Sequence, residues 1–230
     1  MQRAIKSDSL IIAKLHFFVR VSKVLKPFLA KVQTSNPMLP FLEEEIQKVV
    51  KALMESIVKP ERLGSSLTLT ELLSIDLDKE ENLLDCKKVS IGLAAKEVLS
   101  RLQLSEALVR EFKSQCRKCY VLILKKLKER FSNDTVEFLS KLSSLNPSYI
   151  VDHPNRSVAK FEDLVIGLIQ KKLVLAEKGD GIVSQYKEVN RKVRSEQKHT
   201  SLNFQPTNKS IDVFYYEIIG GKSEYNGKLM

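Results

Sequence analysis

The segment QCRKCYVLILKKLKERF, which begins at Gln115, places two cysteines three positions apart beside a cluster of lysines. Thiolates at this spacing can supply two of the four ligands of a structural zinc ion. The other two ligands would have to come from residues that are scattered along the chain: Cys86, His16, His153 and His199. Since none of these lies at ligand spacing from another, we expect no metal site and interpret the pair as part of a helix core.

A helical projection of residues 105–131 favours that interpretation. Cys116 and Cys119 both fall on the apolar face, where a free cysteine behaves as a small hydrophobic residue. The opposite face is basic. The apolar face also carries Leu108, Phe112, Tyr120, Ile123, Leu127 and Phe131.

Other residue types that support catalysis form no recognisable group. The histidines have no serine, cysteine or carboxylate partner at a spacing that suggests a catalytic triad. The acidic segment DLDKEEN resembles the start of a calcium loop, but Glu81 stands where that loop needs glycine and Lys87 where it needs its last carboxylate. Because glycine-rich phosphate and dinucleotide motifs are also absent from the sequence, we expect no catalytic residue, no cofactor and no small-molecule substrate.

The segment QYKEVNRKVRSEQK carries the most regular group of charges. Lys187, Arg191, Arg194 and Lys198 recur at steps of four, three and four, so a helix would place them on one side. Such a face can follow a phosphate backbone without reading bases. It is also typical of a solvated helix surface, and both interpretations stay open. The opposite side of this helix is apolar, with Ile182, Tyr186, Val189 and Val193.

The overall charge also favours acidic partners, nucleic acid first among them. The net charge is +10 and the pI is about 9.4. The excess is uneven: residues 61–100 carry five basic and eight acidic side chains, whereas residues 101–140 carry nine and five. An odd number of cysteines predicts no disulfide framework, and no apolar run is long enough to span a membrane. We expect an intracellular protein, in the nucleus rather than the cytoplasm.

Apolar periodicity predicts an all-α fold, an irregular multi-helix domain at residues 1–198 and a flexible segment at 199–230 with one short apolar element. A long loop is expected near residues 59–90, with a short helix near Thr70, and NPSYIVDHPNRS is predicted to be a proline-marked connector. Helices are predicted at about 9–33, 36–59, 91–102, 105–131, 134–145, 157–175 and 180–197.

Two apolar stripes define the expected core of the first two helices. The first helix is predicted to bury Ile11, Leu15, Phe18, Val21 or Ser22, Leu25 and Leu29. The second is predicted to bury Ile46, Val49, Val50, Leu53, Met54 and Ile57.

The most distinctive stretches of the chain are NPMLPFL and LNPSYI, and they stand in order with LLSIDLDKEENLLDCKKVS, FKSQCRKCYVLILKKLKERF and SIDVFYYEIIGG. Taken in this order, the stretches resemble the helical region of hAT-type transposase-like proteins, and the similarity covers most of the chain. It implies a helical insertion of a ribonuclease-H-like transposase. In such a protein the strands that carry two catalytic aspartates would precede Met1, and the block with the final glutamate and the dimerisation helix would follow Met230. No catalytic residue is therefore carried over.

These expectations lead to two functions. The first is a non-catalytic, transposase-derived protein that contacts DNA without sequence specificity through the basic helix face, or contacts other subunits. The alternative is a helical scaffold for protein partners without nucleic-acid binding, or a truncated product with no function of its own.

Overall fold

The computed structural model describes residues 10–64, 67–195 and 198–220, with the backbone alone at residues 198 and 199. Within these ranges the chain forms eleven α-helices and no β-strand, which confirms the predicted all-α class. The helices are α1 (Ile11–Val32), α2 (Leu39–Met54), α3 (Leu69–Ser74), α4 (Leu93–Arg101), α5 (Glu106–Arg130), α6 (Asn133–Leu142), α7 (Pro147–Asp152), α8 (Pro154–Gln170), α9 (Gly179–Ser195), α10 (Lys198–Leu202) and α11 (Ile211–Ile219).

The chain folds as two compact units. The first comprises residues 1–30 and 44–133, and the second comprises residues 31–43 and 134–230. Residue 198, where the sequence predicts the end of the helical domain, lies inside the second unit.

The core of the first unit forms where strongly amphipathic helices bury their apolar faces. The stripe predicted for the second helix and the turn after it is buried throughout, from Ile46 to Ile57. The face predicted for α5 is buried along its centre, because its residues recur every four positions on one side of the helix. Those central residues are Phe112, Cys116 and Tyr120. Leu124, which the projection does not include, is also buried, whereas Leu108 in the first turn of the helix is 44% exposed, so its placement on the buried face is wrong.

The stripe predicted to be buried on α1 is mostly exposed, and that prediction is wrong. Leu15 and Phe18 are more than half exposed, whereas Ala13 and Phe17 are buried. The reason is that α1 has apolar residues on two sides, so periodicity alone cannot select the inner one. The Phe17 ring packs edge-on against Tyr120 at 5.2 Å between centroids, which selects the side that faces the core.

The segment expected as a long loop near residues 59–90 is held to the end of α2 by backbone pairing. Val58 and Leu83 form an isolated antiparallel bridge, and the Lys59 amide donates to the Asn82 carbonyl at 3.0 Å. Short 3₁₀ turns at Pro60–Arg62, Glu80–Asn82 and Cys86–Lys88 satisfy further backbone groups. The segment is thus irregular in its secondary structure but tied to the core.

The short helix expected near Thr70 is α3, and it begins with a capping box. The Thr68 hydroxyl accepts a hydrogen bond from the Glu71 amide at 3.3 Å, and the Glu71 carboxylate accepts one from the Thr68 amide at 2.7 Å. The Thr68 amide, and after it the Thr68 hydroxyl, which donates to the same carboxylate oxygen at 2.8 Å, lower the pKa of Glu71. Two orphan amides at the helix start are satisfied in this way.

Gly92 precedes α4 with φ 87°, a left-handed conformation that favours glycine. A Cβ at this position would lie 2.8 Å from Cδ of Arg20. The Arg20 guanidinium in turn donates from Nη2 to the Ser90 hydroxyl at 3.1 Å. Glycine therefore leaves the space in which the arginine side chain lies against the segment before α4.

In the second unit the segment NPSYIVDHPNRS, predicted as a connector, is largely helical. Pro147 and Pro154 each occupy the first turn of a helix, α7 and α8, where a missing N–H is tolerated. The Asn146 side chain caps α7 by accepting from the Ser148 amide at 3.0 Å. The prolines thus mark helix starts.

The chain beyond residue 198 contributes to the core of this unit. Phe204 packs between Phe41, with ring centroids 5.7 Å apart, and Phe214, with centroids 5.0 Å apart. Helix α11 ends at Gly220, whose φ of 98° provides a left-handed cap. Residues 199–220 of the segment expected to be flexible therefore include packed helices, and residues 221–230 lie outside the described ranges.

We predict that Tyr186→Phe lowers the free energy of unfolding of the second unit by about 1–3 kcal/mol, because the Ser144 carbonyl would lose its buried donor. In the native protein the Tyr186 hydroxyl donates to that carbonyl at 2.6 Å. Urea unfolding followed by far-UV circular dichroism measures the change. Tyr216→Phe is the matched control, since Tyr216 is 55% exposed and should alter stability little. Equal effects of the two variants would contradict the prediction.

Candidate functional site

Helix α9 carries the basic stripe, and its orientation is fixed by buried polar contacts. Asn190 is buried and donates from Nδ2 to the Ser157 hydroxyl on α8 at 2.7 Å. The Tyr186 hydroxyl donates to the backbone before α7, and its ring stacks on Phe161 with centroids 3.8 Å apart. Buried hydrogen bonds are directional, so they determine which side of α9 faces outward.

The outward side of α9 brings together three of the four basic residues that the sequence singled out. Lys187, Arg191 and Arg194 are exposed, opposite the buried Tyr186 and Val193. The expected separation of a basic and an apolar side is therefore present along this helix.

Lys198 does not extend that stripe on the same helix. Helix α9 ends at Ser195, and Lys198 is the first residue of α10. Its side chain lies outside the described part of the chain. The step of four from Arg194 assumed one continuous helix, so the candidate face consists of the three residues on α9.

Two of these three cations are paired with exposed carboxylates. Lys187 Nζ lies 2.8 Å from Glu162 Oε1 on α8, and Arg191 Nη1 lies 2.8 Å from Glu188 Oε2 one turn earlier. Among the described side chains, none forms an ion pair with Arg194. Exposed pairs of this kind contribute about 0–1 kcal/mol each and are screened by salt, so a phosphate can compete for these cations.

Two cations on the basic side of α5, by contrast, are paired with carboxylates of the first unit. Arg117 makes a bidentate contact with Glu80, at 2.7 and 2.8 Å, and Lys125 Nζ lies 2.5 Å from Asp78. The acidic segment DLDKEEN therefore packs against α5 and pairs with its cations. Planar bidentate pairing of this kind is strong and specific in geometry, which makes Arg117 a poorer candidate for phosphate contact than the cations of α9.

The cysteine pair that opened the sequence analysis lies in or beside the core. Cys116 is 3% exposed, and Cys119 is partly buried. Burial, with a smaller contribution from Cys119, raises the pKa of the Cys116 thiol to about 12. Within residues 10–64, 67–195 and 198–220, no group of three or more histidine, cysteine or acidic side chains is arranged to hold a metal ion.

The histidines that could have completed a metal site lie in different environments. His153 packs against Tyr149 with tilted rings whose centroids are 4.9 Å apart, and His16 is exposed on α1. The side chain of His199 is outside the described set. These positions give no sign of a catalytic arrangement with the cysteines.

A cluster that sequence reasoning missed surrounds Lys160 on α8. Its ammonium lies 3.0 Å from Ser143 Oγ, 3.6 Å from Glu43 Oε2 and 4.6 Å from the centre of the Tyr149 ring. A serine beside a lysine can form a nucleophile and its base. Here, however, the Ser143 hydroxyl donates to the Ser140 carbonyl at 2.7 Å, so it accepts from the lysine. Lys160 is therefore a partly buried cation whose ammonium already has hydrogen-bond and ion-pair partners.

Comparisons with models of protein families, with curated proteins and with solved structures find no match to this chain. In the ranges that the structure covers, no helix combines the length and the apolar character needed to cross a membrane.

We predict that Cys116 reacts with a thiol reagent at pH 8 about a hundredfold more slowly than Cys86, because only the thiolate is nucleophilic. Added zinc or EDTA should leave both rates unchanged. Mass-spectrometric counting of labelled cysteines over time measures the rates, and labelling in urea is the control, since unfolding should equalise them. Protection of Cys116 by zinc would contradict the assignment of this residue to the core.

Proposed function

We propose that the chain is a non-catalytic helical protein, related to hAT-type transposases, that binds nucleic acid through its phosphate backbone. The basic face of α9 is the proposed contact. The observation that carries this proposal is the joint exposure of Lys187, Arg191 and Arg194 on a helix whose other side is fixed in the core. A protein with this role would act in the nucleus.

The spacing of the three cations suits a phosphate backbone. Lys187 and Arg194 are seven residues apart, which is about 10 Å along a helix that rises 1.5 Å per residue. Phosphates of one DNA strand are spaced roughly 3.4 Å along the duplex axis, so the face can contact about three of them. Such contacts position a protein on DNA but do not read bases, which is why no sequence preference is proposed.

The two glutamates beside the face compete with DNA phosphates for its cations. Glu162 and Glu188 must release Lys187 and Arg191 before phosphates can take their place. Since exposed ion pairs are weak, this exchange costs little, but it makes binding weaker than for three unpaired cations. Release of condensed counterions from DNA supplies the driving force, so affinity should fall steeply with salt.

A helical scaffold for protein partners is the second candidate function. It is favoured by the large apolar side chains that α1 leaves exposed, such as Leu15 and Phe18. In that case partner binding would not depend on the charge of α9, which would serve solubility.

We predict that the charge-reversal variant Lys187→Glu, Arg191→Glu, Arg194→Glu loses at least tenfold in affinity for duplex DNA and lowers the salt slope by about two to three. The measurement is fluorescence anisotropy of labelled DNA at two salt concentrations. Binding by the native protein should weaken strongly between them, because each phosphate contact releases a counterion.

The matched control is Lys48→Glu, Arg101→Glu, Lys126→Glu. These residues are exposed, each pairs with a glutamate on its own helix, and the change in net charge is the same. Equal losses of DNA affinity in both variants would show that net charge alone causes the effect, and they would overturn the assignment to α9. Absence of binding at low salt by the folded native protein would overturn the nucleic-acid function itself.

We further predict that Glu162→Gln with Glu188→Gln tightens DNA binding about three- to tenfold, since the competing carboxylates are removed. Glu44→Gln with Glu129→Gln is the control, because it makes the same change in charge at exposed pairs elsewhere. The same anisotropy titration measures both. Unchanged affinity in the first variant would show that Lys187 and Arg191 do not contact phosphate.

A further inference from the structure

Helix α1 exposes a mainly apolar face in the first unit. Its six large apolar side chains are each about half exposed, and a patch of this kind marks an interaction site more often than an ordinary surface. They are Ile11 (45%), Ile12 (50%), Leu15 (55%), Phe18 (54%), Val19 (52%) and Leu29 (48%).

This face cannot turn inward, because the opposite side of α1 is already packed. Ala13, Phe17 and Val21 are at most 5% exposed. Phe17 lies edge-on to Tyr120, and Arg20 donates to Ser90. The exposed face is therefore a fixed feature of the unit.

The exposed face has the spacing of a helix-pairing seam. Six positions alternate in steps of three and four, which is the a/d pattern of a heptad repeat and the pattern that a second helix packs against. Apolar residues occupy four of them, and Ser22 and Lys26 occupy the other two. In order, the seam positions are Ile12, Leu15, Val19, Ser22, Lys26 and Leu29.

The charge of α1 restricts what can pack on this seam. The helix contains five basic residues and no acidic one. Lys26 lies in the seam and Lys23 beside it, and both are exposed. A second copy of α1 would bring like charges together, which disfavours self-pairing. A helix with glutamates or aspartates at the facing positions would be attracted instead.

The same two polar positions argue against a lipid surface as the occupant. Insertion of the α1 face into a bilayer would carry Lys26 and Ser22 toward hydrocarbon, where charged and polar groups are costly. In a helix pair, a lysine at one a position is accommodated by reaching a carboxylate at the edge of the seam.

We propose that the seam of α1 docks an acidic amphipathic helix of a partner protein, with apolar residues against Leu15 and Val19 and carboxylates against Lys23 and Lys26. A single docked helix buries less surface than a standard interface, so we expect a transient complex. This surface is separate from the residues proposed to contact DNA, and either function can fail without the other.

The test uses the full chain and two synthetic helical peptides of three heptads. Both have leucine and isoleucine at a and d; one has glutamate and the other lysine at e and g. We expect the native protein to bind the acidic peptide at least tenfold more tightly than the basic one, as measured by fluorescence anisotropy. Lys23→Glu with Lys26→Glu should reverse that preference, which a merely sticky apolar surface would not do.

A second pair of variants separates the apolar contribution from the charge. Leu15→Ser with Val19→Ser should lower the affinity for the acidic peptide at least tenfold while the thermal midpoint stays the same, since both residues are exposed. Leu93→Ser with Leu122→Ser is the control, because these leucines are 83% and 59% exposed elsewhere in the same unit. Loss of binding in this control would overturn the assignment to α1.

Three further outcomes would overturn the proposal. Equal affinity for the acidic and the basic peptide would show that the α1 seam does not select its partner by charge. Binding to anionic phospholipid vesicles without binding to the acidic peptide would assign the face to a membrane surface. Concentration-dependent dimerisation that Leu15→Ser with Val19→Ser abolishes would assign it to a second copy of the chain. A DNA titration of the same variants measures binding through the α9 face independently.

Discussion

The second unit depends on how Tyr186 is held, because this residue uses both its ring and its hydroxyl in the core. The ring stacks on Phe161 with planes 9° apart, and the hydroxyl donates to the Ser144 carbonyl. Stacking alone would tolerate some sliding of α9 against α8. The buried hydrogen bond does not, since an unmet carbonyl in the core is costly. The outward position of Lys187, one residue later, follows from this constraint.

The sequence predicts those helices well whose apolar residues occupy a single side. Helices α2, α5 and α9 each have one apolar and one charged side, so periodicity identifies the buried side, although it includes the exposed Leu108 and omits the buried Leu124 and Asn190. Helix α1 shows the limit of this reasoning. Its residues Leu15 and Phe17 lie on different sides and are both apolar, and only the presence of Tyr120 decides which side is buried.

Contacts between distant parts of the chain are the other feature that periodicity does not contain. Glu80 and Arg117 are 37 residues apart, and Asp78 and Lys125 are 47 apart, yet these pairs occupy two of the cations on the basic side of α5. The sequence shows an acidic stretch and a basic helix, but it does not show that the two form ion pairs. It likewise indicates a short apolar element after residue 198 without indicating that Phe214 packs in the core.

Gly92 has a consequence for how the protein can vary. Its positive φ is a conformation that other residues rarely adopt. In addition, a Cβ at this position would lie 2.8 Å from Cδ of Arg20. In a saturation mutagenesis experiment this partly exposed position would be as intolerant as the interior. Substitutions there would displace the Arg20 side chain from its contact with Ser90, so variation at residue 92 would alter the surface of α1, which residue 92 does not itself form.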